Sequence, residues 1–309
     1  MNNPFDNKRR RLLQAIACLP GVGMQYTQAA SNRQFIQKKI PKSGELIPAV
    51  GIGTSRVFDV GNDPLEREGP LAALASLRAF DNAMIDTSPM YGAAEKVIGE
   101  LLPQLQPAGN FFLATKVWTE GKQEGIEQMN RSFSRLASNT IDLMQIHNLV
   151  DWQVQLETLR EWKALGRIRY IGITHYREDM HDELIKVIQQ IPDLDFLQIN
   201  YSLLEPEAER HLLPVAQENA IAVIANRPFA RGNWFAQARH HQLPQWAADE
   251  GIHSWAQFAL KWVISHPAIS CAIPGTRKAK HMLDNMGAAS GSLLNNEQRL
   301  AMQKLVNNW

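Results

Sequence analysis

The chain has 309 residues, 45% hydrophobic and 20% charged, with 32 Lys plus Arg against 31 Asp plus Glu and a formal net charge of +1. This composition excludes a disordered chain, and the charge balance excludes nucleic-acid binding through bulk positive charge. Two cysteines, Cys18 and Cys271, make no disulfide framework and lack the Cys/His spacing of a zinc site.

The first thirty residues read as an address. Lys8-Arg9-Arg10-Arg11 runs straight into Leu12-Leu13-Gln14, and residues 12–24 carry no charge. That run, with Gln14, Pro20 and two glycines, is too short and too weakly apolar for a membrane span. A basic block, a short apolar run and the small residues Ala29-Ala30-Ser31 form the pattern of an export signal. An arginine pair before Leu-Leu is similar to the twin-arginine type. On this reading residues 1–30 are a signal peptide handled by the twin-arginine export machinery, and residues 31–309 form a mature periplasmic domain not inserted in a membrane. Two alternatives stay open: a basic tail on a cytoplasmic protein, and a lipoprotein signal acylated at Cys18.

Residues 35–39 and 45–48 flank Pro41-Lys42-Ser43-Gly44, a turn signal, and predict a small hairpin. Short apolar runs follow at 49–53, 83–86, 111–117, 141–147, 168–174, 196–201, 220–225 and 269–273. Amphipathic segments lie between them at 70–80, 93–102, 125–136, 155–165, 182–190, 206–218 and 254–265. Continuous apolar runs suit parallel strands buried on both faces. Eight β/α units in one chain predict an α/β fold, a (β/α)8 TIM barrel preceded by the small N-terminal hairpin. An open doubly wound sheet is the alternative, but no Gly-x-Gly-x-x-Gly follows any strand.

Barrel enzymes carry their chemistry where strands end. The second barrel strand ends at Asp86, and its loop carries Tyr91; the third holds Lys116; the fourth ends at His147. An acid, a phenol, an amine and an imidazole thus meet at one mouth. A lysine near the end of an apolar strand is costly unless paired, and Asp86 is its natural partner. A cation beside Tyr91 stabilises the phenolate, so the phenol can give a proton to a carbonyl oxygen as hydride reaches the carbon. Singly, each residue has a plainer reading. Asp86 also suits a turn or helix cap, Tyr91 a rim aromatic, His147 a satisfied interior imidazole, and Lys116 a stem reaching solvent.

The segments Gly51-Ile52-Gly53-Thr54, Asp86-Thr87-Ser88-Pro89-Met90-Tyr91-Gly92, Thr115-Lys116 and Ile146-His147-Asn148 resemble the aldo-keto reductase family. Similar to it as well are 163–174, Gln198-Ile199-Asn200-Tyr201-Ser202 and Ile273-Pro274-Gly275-Thr276-Arg277 with Asp284-Asn285. The resemblance spans roughly residues 45–290. It implies an Asp86, Tyr91, Lys116 and His147 tetrad, a nicotinamide cofactor and no metal. The cofactor would lie across the mouth on Gly53 and Thr54. Thr174, His175 and Gln198 would hold its carboxamide; Arg227, Pro228, Phe229 and Gly232 follow strand seven. Gly275, Thr276, Arg277, Asp284 and Asn285 follow strand eight. Two departures stand out: Thr174-His175 replaces the usual Ser-Asn, and Asn226 replaces an aromatic residue that stacks on the nicotinamide. Arg227 and Arg231 suit a pyrophosphate. Arg277, Lys278 and Lys280 around a helix start suit a 2′-phosphate, so NADPH is expected over NADH.

These features predict NADPH-dependent reduction of a small aldehyde or ketone by a monomer. Phe58, Trp118, Trp152 and Trp234 are candidates for an aromatic substrate pocket. The competing classes are a non-catalytic nicotinamide-binding sensor on the same barrel and a metal-dependent hydrolase. The hydrolase would need more His, Asp or Glu at strand ends than Asp86, His147 and His175.

Overall fold

The computed structural model describes residues 35–309. The segment 1–30, read above as a signal, lies outside the described residues.

The chain opens with an antiparallel hairpin, β1 (Gln37–Lys39) and β2 (Leu46–Pro48), paired Lys38 to Ile47. Eight parallel strands follow: β3 (Ile52–Gly53), β4 (Ala83–Asp86), β5 (Phe111–Val117), β6 (Ile141–His147), β7 (Ile168–Thr174), β8 (Phe196–Asn200), β9 (Ala222–Asn226) and β10 (Ile269–Ala272). Each pairs with its successor, and bridges from Val50 to Ala272 and from Gly53 to Gly275 bring β3 back to β10. This is a (β/α)8 barrel with a hairpin in front. The seam needs glycine: a Cβ on Gly51 would lie 2.6 Å from the Met84 carbonyl oxygen, and one on Gly53 2.8 Å from that of Ile273.

The helices are α1 (Pro64–Leu77), α2 (Ala94–Leu101), α3 (Lys122–Leu136), α4 (Trp152–Ala164), α5 (His181–Ile188), α6 (Leu212–Glu218), α7 (Asn233–Ala238), α8 (Trp255–Ile264), α9 (Ala279–Gly287) and α10 (Asn296–Asn307). No helix of the described residues is long and apolar enough to cross a membrane. Helix α1 starts six residues before the expected 70, because Asp63 accepts the Leu65 N–H at 3.0 Å and Pro64 occupies the first turn. Charged residues there hid the apolar period. The segment 206–218 resolves into a 3₁₀ turn, Glu207–Glu209, and the shorter α6. Strand β9 starts at Ala222 rather than 220, because Ala220 takes a left-handed φ of 52° and turns the chain. Helix α7 lies in a segment whose apolar pattern is too sparse to predict it, and α9 begins beside Arg277 and Lys278, at the expected helix start.

Two apolar layers hold the site in place. Outside the barrel, strand and helix side chains form one continuous core, including Ile85, Leu74, Ile146, Leu159, Leu197 and Phe258. Inside it, Met84, Phe112, Leu143, Tyr170, Phe196 and Ile224 fill the lower half, and Ile40 and Ile47 of the hairpin plug the floor. The plug is also tied by polar contacts. Lys42 Nζ donates to the Pro192 and Leu194 carbonyls at 2.8 and 2.6 Å, and Tyr170 Oη donates to Glu45 Oε2 at 2.6 Å. Closing one end leaves the other, where strands end, as the open mouth.

Candidate active site

Register brings the polar residues together. On β4 Met84 lies in the apolar interior and Asp86 one step above it on the same face. On β5 Phe112 and Ala114 lie below Lys116; on β6 Leu143 lies below Gln145 and His147. Lys116 pairs with Gln145 across β5 and β6, His147 with Thr174, and Thr174 with Gln198. The period of two therefore stacks a polar layer on the apolar one.

Asp86 is the hub of that layer. It is 2% exposed and Lys116 0%. Lys116 Nζ donates to Asp86 Oδ1 at 2.9 Å, to Oδ2 at 2.8 Å and to the Thr87 carbonyl at 2.7 Å. Oδ1 also accepts from Gln145 Nε2 at 3.1 Å and Gln198 Nε2 at 2.7 Å. Thr54 Oγ1 donates to the Asp86 carbonyl at 2.9 Å. Burial works against the Lys116 charge, but Asp86 and Tyr91 together outweigh it and hold the ammonium above its ordinary value. Lys116 is a permanent cation under the floor of the site.

Tyr91 and His147 stand above it. The Lys116 ammonium lies 5.2 Å from the centre of the Tyr91 ring, and the Tyr91 and His147 rings meet edge to face at 6.1 Å. The turn Ser88 to Tyr91, with the Tyr91 N–H donating to the Ser88 carbonyl at 3.0 Å, presents the phenol just before α2 begins. Burial raises the Tyr91 hydroxyl above an ordinary phenol, and Lys116 pulls it back only in part. The expectation that Lys116 makes this proton easier to lose describes one contribution, not the net direction. Tyr91 stays protonated at neutral pH, as a proton donor must.

Burial, then the Lys116 charge, pushes His147 down to about 3, so its imidazole is neutral. Ser88 Oγ lies 3.2 Å from His147 Nδ1 and accepts the Met90 N–H at 3.3 Å. Ser88 keeps its O–H and a second lone pair, so it serves either tautomer; where it donates to Nδ1, the ring proton stands on Nε2. The imidazole then offers an N–H to the cavity.

The cavity above these groups has a volume of about 830 Å³. Asp86, Tyr91 and His147 line it, with Lys116 buried beneath. Of the expected cofactor residues, Gly53, Thr54, Thr174, Gln198, Arg227, Pro228, Phe229, Gly232 and Gly275 line it too. His175 does not. It stacks on Tyr176 at 5.5 Å, and its Nδ1 accepts the Arg177 N–H at 3.2 Å. Thr276 and Arg277, just before α9, and Asp284 and Asn285, within its second half, are not part of the cavity lining. Thr276 Oγ1 accepts the Lys278 N–H at 3.1 Å, and Asp284 accepts from Gln257 at 2.8 Å. Asn285 is buried, whereas Arg277, Lys278 and Lys280 are exposed.

Of the four candidate pocket aromatics, Trp118 alone lines the cavity. Phe58 and Trp234 are fully packed in the core, and Trp152 packs against it. Sequence reasoning missed Gln145, Ser88, Arg56, Asn148, Tyr176 and Phe235. Gln145 sits two residues before His147, so strand period alone points to it; the loop residues carry no such signal.

A nicotinamide dinucleotide suits this cavity. Buried carbonyl oxygens on Asn148 and Asn226 lack hydrogen-bond partners and face a ligand that must bring N–H or O–H groups. Arg227 and Arg231 lie in one loop of the wall and form no ion pair with a carboxylate of the described residues. Gly53 and Gly275, on adjoining strand ends, leave room for close backbone approach.

Comparison with known proteins agrees with this geometry. The profile described as Aldo/keto reductase family matches residues 49–307. The chain is 32% identical over 263 residues to the methylglyoxal reductase YeaE of Escherichia coli, covering 81% of this chain and 88% of that protein. It is 26% identical to an aldo/keto reductase of Klebsiella pneumoniae crystallised with NADP and acetate, with a TM-score of 0.72 over 85% of this chain and 93% of that one. A Klebsiella pneumoniae aldo-keto reductase in complex with NADPH superposes with a TM-score of 0.73 at 25% identity, over 89% and 95% of the two chains.

Proposed function

The chain belongs to the aldo/keto reductase family, and we propose that it reduces aldehydes or ketones to alcohols with NADPH, with Tyr91 as proton donor. The observation that carries this is the protonated Tyr91 and the neutral His147 meeting at one cavity over the buried Lys116–Asp86 pair. The bound nicotinamide supplies hydride to the carbonyl carbon. His147 Nε2–H donates a hydrogen bond to the carbonyl oxygen and orients it. Tyr91 gives its proton to that oxygen as negative charge develops there. The phenolate left behind is stabilised by Lys116 and regains a proton through the open mouth. Asp86 keeps Lys116 charged, and Gln145 and Gln198 keep Asp86 in place.

The preference for NADPH is supported by the solved relatives and by Arg277, Lys278 and Lys280 at the start of α9. The E. coli relative is named for methylglyoxal, so a small 2-oxoaldehyde is the first substrate to assay. Tyr91→Phe should keep NADPH binding and lose most turnover, on the order of 10²–10⁴-fold. Unchanged turnover would remove Tyr91 from the mechanism. NADPH binding with no turnover of any carbonyl by the wild type would favour the sensor reading, to which Asn226 and a cavity lining without His175 lend weight.

Residues 1–30 are read as a twin-arginine signal that carries the protein out of the cytoplasm. That route moves folded proteins, so a nucleotide bound in the cytosol travels inside the barrel, and signal and cofactor explain each other. The test is residues 1–30 fused to a reporter that matures only outside the cytoplasm. Replacing Arg9, Arg10 and Arg11 by lysine should abolish export. Export that survives the change, or never occurs, overturns the reading.

A further inference from the structure

One polar group in the cavity is unspent. Asn226 ends β9, where alternation turns Ala222, Ile224 and Asn226 to the same inner face, and it lines the cavity. Its backbone carbonyl accepts the Tyr201 N–H at 3.3 Å, but its side-chain Oδ1 is buried without a partner. Its neighbour toward the centre cannot supply one. Gln198, on β8, commits its amide hydrogens to Asp86 at 2.7 Å and to Gln145 at 3.2 Å. Thr174 Oγ1 lies 3.4 Å from Gln198 Oε1. No aromatic ring stands at this position to hold a ligand by its face.

A buried carbonyl oxygen without a donor is costly, so its partner arrives with the ligand. The redox end of a nicotinamide must sit beside Tyr91, in this same cavity, and its substituent is a primary carboxamide. The NH₂ of that carboxamide can donate to a side-chain amide oxygen. We propose that Asn226 is a cofactor-positioning residue that holds the nicotinamide by its edge, its Oδ1 accepting from the carboxamide NH₂. The ring is then oriented by a directional hydrogen bond where stacking would leave it free to rotate in its plane. This rests on the reading that a nicotinamide nucleotide is the hydride donor.

The test is direct titration of the full chain with NADP⁺ and with its 3-acetylpyridine analogue, followed by quenching of tryptophan fluorescence. The analogue carries methyl where the carboxamide carries NH₂ and keeps its acceptor oxygen. The wild type should bind NADP⁺ about tenfold more tightly than the analogue. Asn226→Leu should bring the two affinities within about twofold by weakening NADP⁺ alone. Asn226→Asp, which keeps an acceptor oxygen, should restore the discrimination, and its fold is checked by circular dichroism. Equal discrimination in the wild type and Asn226→Leu overturns the proposal, as does a loss shared equally by both nucleotides. If the wild type binds neither NADP⁺ nor NADPH, the nicotinamide reading itself fails and the proposal falls with it.

Discussion

The buried pair under Tyr91 makes a quantitative test. At 2.8 Å, with an effective dielectric constant near 20, Asp86 and Lys116 attract by about 6 kcal/mol. Burying two ions costs several kcal/mol each, so the pair as a whole is close to neutral for stability. Removing one partner is not. Lys116→Met leaves a buried carboxylate with only the Gln145 and Gln198 N–H groups, and should cost about 3 kcal/mol. Asp86→Asn leaves a buried ammonium whose remaining full acceptor is the Thr87 carbonyl, and should cost nearer ~5 kcal/mol. At about 2–4 °C per kcal/mol for a domain of this size, each single change lowers Tm by on the order of 10 °C. The double variant removes both charges and should be more stable than either single variant. Thermal and urea unfolding followed by circular dichroism at pH 7 measure all four. Single costs that simply add in the double would refute the coupling, and with it the account of how Lys116 stays charged.

Other outcomes follow from the same geometry. His147 is pushed down to about 3 in the fold from an ordinary 6.5, so the unfolded chain takes up the proton first as pH falls; stability is full above about 6.5 and is lost toward pH 3. His147→Gln should flatten that profile in pH-dependent urea titrations, and an unchanged slope would place the titrating group elsewhere. Because burial raises the Tyr91 hydroxyl, kcat/KM should stay level through neutrality and fall only in a limb above an ordinary phenol's range of about 10; a limb well below that contradicts Tyr91 as the acid. Ser88→Ala removes the partner of His147 Nδ1 and should lower kcat about tenfold with NADPH affinity unchanged; unchanged kcat would show that Ser88 does not set the proton. Cys271 is fully buried and its thiol is pushed up by burial, so a thiol reagent should label it only after denaturation, and rapid labelling of the native protein would refute its placement.

The sequence made the tetrad legible because strand period and strand ends are local properties. Asp86 and His147 each close an apolar run and Lys116 stands one residue before the end of another, and a barrel turns such positions toward one mouth. Tyr91 was within reach because it follows Asp86 by five residues in one turn. Ser88 lies inside that same turn, yet its task depends on His147, fifty-nine residues away. Aromatic candidates fared poorly because a tryptophan after a strand looks alike whether it packs into the core, as Trp234 does, or faces the cavity, as Trp118 does.

By itself the order of apolar runs and amphipathic segments determined a parallel (β/α)8 barrel with a hairpin ahead of it, because burial on both faces leaves a pattern that no loop imitates. The chemical types at the strand ends determined that carbonyl chemistry was the reading to test. Tertiary structure alone decided the balance of charge and the direction of side chains. Burial outweighs Lys116 at Tyr91, His147 is neutral, His175 does not line the cavity, and Asn226 holds an oxygen with no partner. These follow from what surrounds each group in space, and residues far apart in the chain supply those surroundings.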